Sequence, residues 1–324
     1  MVVTRRFDVC NGDADGLCAV RQWRLHEPAE ATLITGLKRD IELLERVDAS
    51  AGDEVLVCDI SLARNRPALM RLLESGARVR YFDHHDPGAA VSHPGFEAHI
   101  DTAADVCTSV LVDHALDGRY RAWAVAGAFG DNLGRVAERL AAAADLRGEQ
   151  IASLRMIGEA INYNAYGDDE ADVFMAPARL YALMSRYQDP LEMLAGEAVL
   201  REIDARRQDD LARAARIEPH WQDARGSVLL LPAAAWSRRV VGCLANQLAN
   251  REPRRAHALL LPAHSGGWRV SVRAPLDAPG GAAALCSRFG GSGRAAAGGI
   301  DHLPEAEVER FIRAFGAARW GDCA

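Results

Sequence analysis

The stretch that decides the fold is Val79-Arg80-Tyr81-Phe82-Asp83-His84-His85, an apolar-rich run ending in one acid and two imidazoles. Three other segments are built the same way. Phe7-Asp8-Val9-Cys10 is followed by Asp13-Ala14-Asp15-Gly16, Val55-Leu56-Val57-Cys58 runs into Asp59, and the run from Ala122-Trp123-Ala124-Val125 to Phe129 leads to Asp131. Short apolar runs bounded by polar turns read as buried strands. Between the first three lie helix-like stretches, Leu17 to Leu25, Ile41 to Val47 and Arg66 to Ser75. Strands alternating with helices are the pattern of parallel βαβ units. In an open parallel sheet the carboxyl ends of several strands face one crevice, so side chains distant in sequence meet there. Carboxylates and imidazoles so gathered suit two divalent ions, about 3.5–4 Å apart, that activate a water and stabilise the leaving oxygen of a phosphoryl displacement. An oxygen-rich set with one or two imidazoles favours manganese, or else magnesium, over zinc.

Together, Asp13-Ala14-Asp15-Gly16, Val57-Cys58-Asp59, Asp83-His84-His85 and Gly130-Asp131-Asn132 resemble the motifs of the DHH phosphoesterase family. That family includes RecJ-like exonucleases, oligoribonucleotide and 3′,5′-bisphosphate phosphatases, cyclic dinucleotide phosphodiesterases and family II inorganic pyrophosphatases. Further on, Val270-Ser271-Val272-Arg273-Ala274 and Phe289-Gly290-Gly291-Ser292-Gly293-Arg294-Ala295-Ala296-Ala297-Gly298 resemble its associated substrate domain, with an arginine strand and a Gly-Gly-rich loop. The resemblance implies an α/β fold: a parallel-sheet domain with helices on both faces, linked by a helix to a smaller α/β domain with a mixed sheet. It implies Asp13 and Asp15 as ligands to different ions, Asp59 as the bridge, and His84 and Asp131 completing the second ion. His85 stands near the scissile phosphate as charge stabiliser or proton donor, while Arg273 and the Gly290, Gly291 and Gly293 loop hold the other end of the substrate. Two positions depart from the pattern. Val9 stands where many members have a histidine, which leaves Asn11 as a source of an amide oxygen; Gly293 replaces the usual loop histidine, which leaves Arg294 beside it for the anion.

Taken singly, these residues have plainer readings. Asp-Ala-Asp-Gly makes a turn or helix cap, a His-His pair is commonly surface loop, a glycine loop is commonly flexible, and a strand arginine is commonly a solvated edge residue. The ordered set is what points to chemistry. Glycines let backbone N–H groups approach an anion closely. Asp101 to Ser109 precedes a helix-like run, so it is either a phosphate-holding helix start or an ordinary N-cap. Asn162-Tyr163-Asn164-Ala165-Tyr166-Gly167 reads as helix packing with a glycine stop, or as a base pocket.

Composition narrows the rest. At 324 residues with 49% hydrophobic content the chain is long enough for two cores. The expected division is 1–192 for the metal-binding domain, 193–225 for a connecting helix, and 226–324 for the substrate domain. No run approaches a transmembrane length, and a cytoplasmic location is expected. The seven cysteines, an odd number without a Cys-x-x-Cys pair, read as reduced thiols. Lys38 is the only lysine; the bias towards arginine reads as genomic base composition rather than function, although Lys38-Arg39 after Thr35-Gly36 could reach the site. From Gly226 onward twelve arginines face seven acidic residues, net +5, leaving 26 basic and 38 acidic residues, net −12, before it. A total of −7 disfavours gripping a long polyanion without sequence specificity, which needs many basic contacts. The expected substrate is therefore a small nucleotide: a short oligonucleotide, a linear or cyclic dinucleotide, or a nucleoside 3′,5′-bisphosphate. The alternatives are a RecJ-type 5′ exonuclease on single-stranded DNA and a catalytically silent nucleotide sensor. A homodimer is implied by the resemblance alone.

Overall fold

The first elements are β1 (Arg6–Asn11), α1 (Ala14–His26), β2 (Thr32–Gly36), β3 (Glu54–Cys58), α2 (Leu62–Glu74), β4 (Arg78–Asp83) and β5 (Phe96–Ile100), in a computed structural model that describes residues 4–321. All five strands are parallel, in the order β2-β1-β3-β4-β5. The chain leaves β1 for β2 on one side and returns with β3 on the other. The connections therefore turn apart between β1 and β3, opening a crevice at their carboxyl ends. Register makes that rim level: Cys10 pairs with Cys58, and Cys58 with Phe82. Asp13, Asp59 and Asp83 to His85 thus leave three adjacent strands at one edge of the sheet.

Alternation decides which side chains go to which face. Phe7, Val9, Val55, Val57, Val79 and Tyr81 share one core with Leu69 and Leu72 of α2 and with a single 3₁₀ turn, Leu43–Arg46. Each such side chain fully buried contributes about 1.5–3 kcal/mol. The other face carries α1 and then α3 (Thr108–Ala115). Behind these pack α4 (Arg121–Gly130), α5 (Gly134–Ala143), α6 (Glu149–Asn164), α7 (Pro177–Met184) and α8 (Pro190–Gly196). Glycine sets the closest approaches in this layer. A Cβ on Gly130 would lie 2.3 Å from the Ala14 Cβ, and one on Gly158 would lie 2.0 Å from the Ala126 carbonyl oxygen. Bare backbone at these two points lets α4 press against α1 and α6, which brings Asp131, just past α4, towards the Asp13–Asp15 turn.

Several sequence expectations are corrected here. Ala122 to Phe129 is not a strand but part of helix α4, so Asp131 reaches the crevice from a helix end. The run is apolar all round, and at that length a fully buried helix and a buried strand look alike in sequence. Ile41 to Val47 shrinks to the 3₁₀ turn. Strands β2 and β5 escape the sequence pattern. Both are edge strands with half-exposed residues, and β5 carries Glu97 and His99 at its centre.

The chain divides into two compact units between Ala205 and Arg206, within α9 (Val199–Ala214). The second unit contains β6 (Trp221–Gln222), β7 (Gly226–Leu230), α10 (Ala235–Arg251), β8 (Ala256–Pro262), β9 (Trp268–Arg273), α11 (Ala282–Ser287), β10 (Ser292–Gly293), β11 (Ala297–Leu303) and α12 (Val308–Gly316). Its sheet runs β10-β11-β9-β8-β7-β6, with β7 and β8 parallel and the other neighbours antiparallel. Ala258 and Leu260 pack with Phe311 and Phe315 of α12 on one face, whereas Leu259 and Leu261 pack with Val240 and Leu244 of α10 on the other. The fold is thus the expected α/β pair, a parallel-sheet domain with helices on both faces and a smaller mixed-sheet domain. Six cysteines are free thiols, and Cys323 lies outside the described residues. Among the described residues no helix is long and apolar enough to cross a membrane.

Candidate metal centre

Asp59 sits just past β3 with φ of +58°, a backbone region that non-glycine residues enter at a cost and that aspartate tolerates better than most. Its N–H donates to the Phe82 carbonyl at 3.0 Å, which holds the turn against β4. The carboxylate is buried, and no backbone N–H or hydroxyl is bonded to it. His84 Nε2 lies 3.4 Å from Asp59 Oδ1. On the other side of that ring, Nδ1 is 2.8 Å from the Val106 carbonyl oxygen. A carbonyl only accepts, so Nδ1 carries a proton whatever the state of the ring; Nε2 then faces the carboxylate as a donor when the ring is charged and as a lone pair when it is neutral. Two acceptors facing one another in a buried site, as with the neutral ring, require a cation between them. A bound proton or a metal ion meets that demand.

Asp15 Oδ2 lies 3.9 Å from the same Nε2. Its two oxygens accept the Thr108 and Ser109 N–H groups, each at 2.7 Å. The amides at the start of α3 therefore hold a carboxylate of the site rather than a phosphate, and they fix Asp15 as a rigid member of the cluster. Asp83, fully buried, accepts through Oδ1 from the His84 N–H at 2.9 Å and from His85 Nδ1 at 2.7 Å. His85 is 36% exposed and its Nδ1 is committed to Asp83, so Nε2 is the nitrogen it offers outward. Asp59, His84 and His85 present ligand atoms within 4.8 Å of one another. Held through Nδ1 by Asp83, His85 can offer Nε2 to an ion when neutral or donate a proton from it when charged.

Asp13 caps α1. Its Oδ1 accepts from the Gly16 N–H at 3.1 Å, and its Oδ2 is ion-paired with Lys38 Nζ. Asn11 braces this corner: its amide oxygen accepts from the Asp13 N–H at 3.2 Å, and its amide nitrogen donates to the Lys38 carbonyl at 3.4 Å. Val9, one turn of pleat below, belongs to the apolar core.

The charges act on one another. Burial, then Asp13 and Asp15, push the Asp59 carboxyl up to about 7. Burial alone would lower His84, but Asp59, Asp131 and Asp15 outweigh it and raise the ring to about 10. His85 is also raised, because Asp83 outweighs its burial. For Lys38 burial is opposed by Asp13, and further by Tyr166, Asp59 and Asp131, so its pKa stands well above the ordinary value. The cluster therefore gathers cations: protons at its imidazoles, an ammonium at Asp13, and at Asp59 a place suited to a divalent ion. Asp59, His84, Asp15 and Asp131 are the donors that fit such an ion, three carboxylates and one imidazole.

No family model matches the sequence, and no curated protein matches it. Solved structures do. A DHH domain from a member of a family of ribosomal proteins has a TM-score of 0.64 at 13% identity, over 97% of this chain and 86% of that one. Exonuclease RecJ bound to manganese has 0.61 at 20%, over 97% and 89%. A pGpG-specific phosphodiesterase, PggH from Vibrio cholerae, has 0.56 at 15%, over 96% and 97%. The chain has the DHH fold.

Within this DHH fold the first unit brings together Asp13, Asp15, Lys38, Asp59, His84, His85 and Asp131, with Asn11 supporting Lys38 and Asp13. In the second unit Arg273 ends β9, pairs in register with Ala297 of β11, and is oriented by Asn246 Oδ1, 3.0 Å from its Nε. Arg294 is at the exposed turn between β10 and β11. Gly290 and Gly291 have a packing duty as well. Gly290, with φ of +77°, ends α11 in a left-handed cap in which the Gly291 N–H donates to the Cys286 carbonyl. Gly293 has φ of +152°, and a Cβ there would strike the Ala297 oxygen at 2.4 Å. Tyr163 and Asn164 are buried, and Asn164 binds the Phe174 and Met175 backbone, so these two residues pack rather than lining a base pocket, whereas Tyr166 is half-buried and acts on Lys38. Sequence pattern assigns no role to Asp83 or Val106. An acid two residues before a histidine at a strand end is a legible signal for the first; a backbone carbonyl leaves none for the second.

Proposed function

We propose that the chain is a divalent-metal-dependent phosphoesterase of small nucleotides, with manganese the favoured ion and magnesium the alternative. The observation that carries this reading is the buried cluster in which the Asp59 and Asp15 carboxylates converge on His84 Nε2, at 3.4 and 3.9 Å. A divalent ion there would supply a polarised water and a Lewis acid for the phosphoryl oxygen. Asp59, His84, Asp15 and Asp131 hold and orient it. His85, carrying a proton to higher pH than an ordinary histidine, donates from Nε2 to the leaving oxygen while Asp83 keeps the ring in line. Asp83 is thus a positioning residue. Arg273, preset by Asn246, and Arg294 are the second unit's candidates for an anion contact, with residues 226–324 serving as the substrate domain and 1–192 as the catalytic one.

Similarity to RecJ supports one second reading, 5′ exonuclease activity on single strands. The test is to incubate the protein with Mn²⁺ and a linear diadenylate, a cyclic dinucleotide, adenosine 3′,5′-bisphosphate, pyrophosphate and single strands of two to ten nucleotides. Turnover that declines as the strand lengthens supports the small-nucleotide reading, and turnover that grows with length supports the exonuclease. Binding without product in every case, unchanged by Asp59→Ala, leaves a nucleotide sensor.

A further inference from the structure

We propose that Lys38 replaces one of the two metal ions, so that this centre holds a single divalent ion opposite a built-in ammonium. The inference rests on the metal-dependent reading above, and concerns how many ions that site takes.

Three observations carry it. The first is occupancy of Asp13. One of its oxygens accepts from Gly16 and the other is ion-paired with Lys38, in a side chain that is 1% exposed. An ion bound at Asp13 would stand directly against that ammonium. The second is that the placement of Lys38 belongs to the fold. Its N–H donates to the Ala165 carbonyl at 2.9 Å, its carbonyl accepts from Asn11, and Asp40 Oδ2 accepts from the preceding Leu37 N–H at 2.8 Å. The loop after β2 is thus tied to the end of α6, to β1 and to itself, which delivers Lys38 to the crevice at the switch between β1 and β3.

The third observation is composition. Of the 38 lysines and arginines in the chain, 37 are arginine, and the one lysine is Lys38. An ammonium is a compact point charge that fits where a small cation would sit, whereas a guanidinium is a planar fork that spreads its charge over five N–H donors. A chain that uses arginine everywhere else keeps lysine where a metal-sized charge is needed.

The donor set agrees. His84 Nε2 is the imidazole nitrogen that faces the carboxylates, and it serves the ion at Asp59; His85 turns Nδ1 to Asp83. β1 offers an ion at Asp13 no imidazole, since Val9 lies in the apolar core.

The experiment counts ions without using turnover. After equilibrium dialysis against Mn²⁺, elemental analysis should give one ion per chain for the wild type, with the six-line electron paramagnetic resonance spectrum of an isolated Mn²⁺. Lys38→Met, which keeps the stem and removes the charge, should bind two, with the six-line signal replaced by that of a spin-coupled pair. Two ions in the wild type overturn the proposal, as does a folded Lys38→Met that still binds one. Should Lys38→Met fail to fold, Asp13→Asn decides: one ion retained with affinity within a few-fold supports the single-ion centre, and loss of an ion overturns it. A protein that binds one ion but cleaves no nucleotide refutes the phosphoesterase reading and leaves this one standing.

Discussion

Asp83→Asn separates positioning from packing at the metal centre. Asparagine keeps the volume and one oxygen able to accept from the His84 N–H and from His85 Nδ1, at present 2.9 and 2.7 Å away, but it removes the negative charge. A hydrogen bond to a charged partner contributes about 1.5–3 kcal/mol against about 0.5–1.5 for a neutral one. The difference, on the order of 1.4 kcal/mol, corresponds to about tenfold in rate when it is felt in the transition state. Partners that orient a functional imidazole commonly matter by about 10–100-fold. The sign of the pH effect follows from the cause of the shift. Burial lowers the His85 pKa and Asp83 raises it above the ordinary value, so without the charge the ring gives up its proton at lower pH. The basic limb of the rate profile should therefore move to lower pH, and the loss in kcat should be larger at pH 8.5 than at 6.5, with KM little changed. Initial rates across that range, on whichever nucleotide the wild type cleaves fastest with Mn²⁺, provide the assay. A uniform loss at every pH, or a wild-type profile, would refute the Asp83-His85 donor pair.

Other expectations concern stability and binding. Asp59 and His84 are both raised above their unfolded values of 3.8 and 6.5, so each stabilises the metal-free protein fully below those values and loses that contribution as pH rises through about 7 and about 10. The melting temperature in EDTA should thus fall from pH 6 to 9, and Mn²⁺ should raise it more at pH 8.5 than at 6, where protons compete for the same atoms; equal shifts at both would contradict the assignment. Gly130→Ala places a methyl 2.3 Å from the Ala14 Cβ, which should cost about 1–3 kcal/mol in denaturant unfolding and weaken Mn²⁺ binding by displacing Asp131; unchanged affinity would remove Asp131 from the ligand set. Arg239→Leu removes the buried guanidinium 2.8 Å from Asp210 and leaves the carboxylate to weaker partners such as Arg213 at 3.7 Å, an expected loss of about 3 kcal/mol by chemical denaturation, and a loss under about 1 would show that those partners suffice. Arg273→Ala should raise KM for a nucleotide substrate at least tenfold with kcat less affected, whereas an unchanged KM would free Arg273 from substrate contact.

The chain by itself determined the α/β class and the positions where strands β1, β3 and β4 stop, because a buried parallel strand must be an unbroken apolar run and the acids that follow must lie outside it. Asp13, Asp15, Asp59, His84, His85 and Asp131 could be picked out on that basis and by their order. Period could not tell helix α4 from a strand, since a helix buried on all sides has no polar face to betray it, and close glycine contacts at Gly130 and Gly158 show only when the neighbours are in place. Nor could it find what acts through space. His84 Nε2 is turned towards Asp59 by a backbone carbonyl 22 residues away, the Asp15 carboxylate is held by the start of a helix more than 90 residues on, and Lys38 meets Asp13 only because β2 lies beside β1. Local pattern reports which residues leave the core; which of them meet, and which proton or ion their meeting requires, is fixed by packing that brings distant segments together.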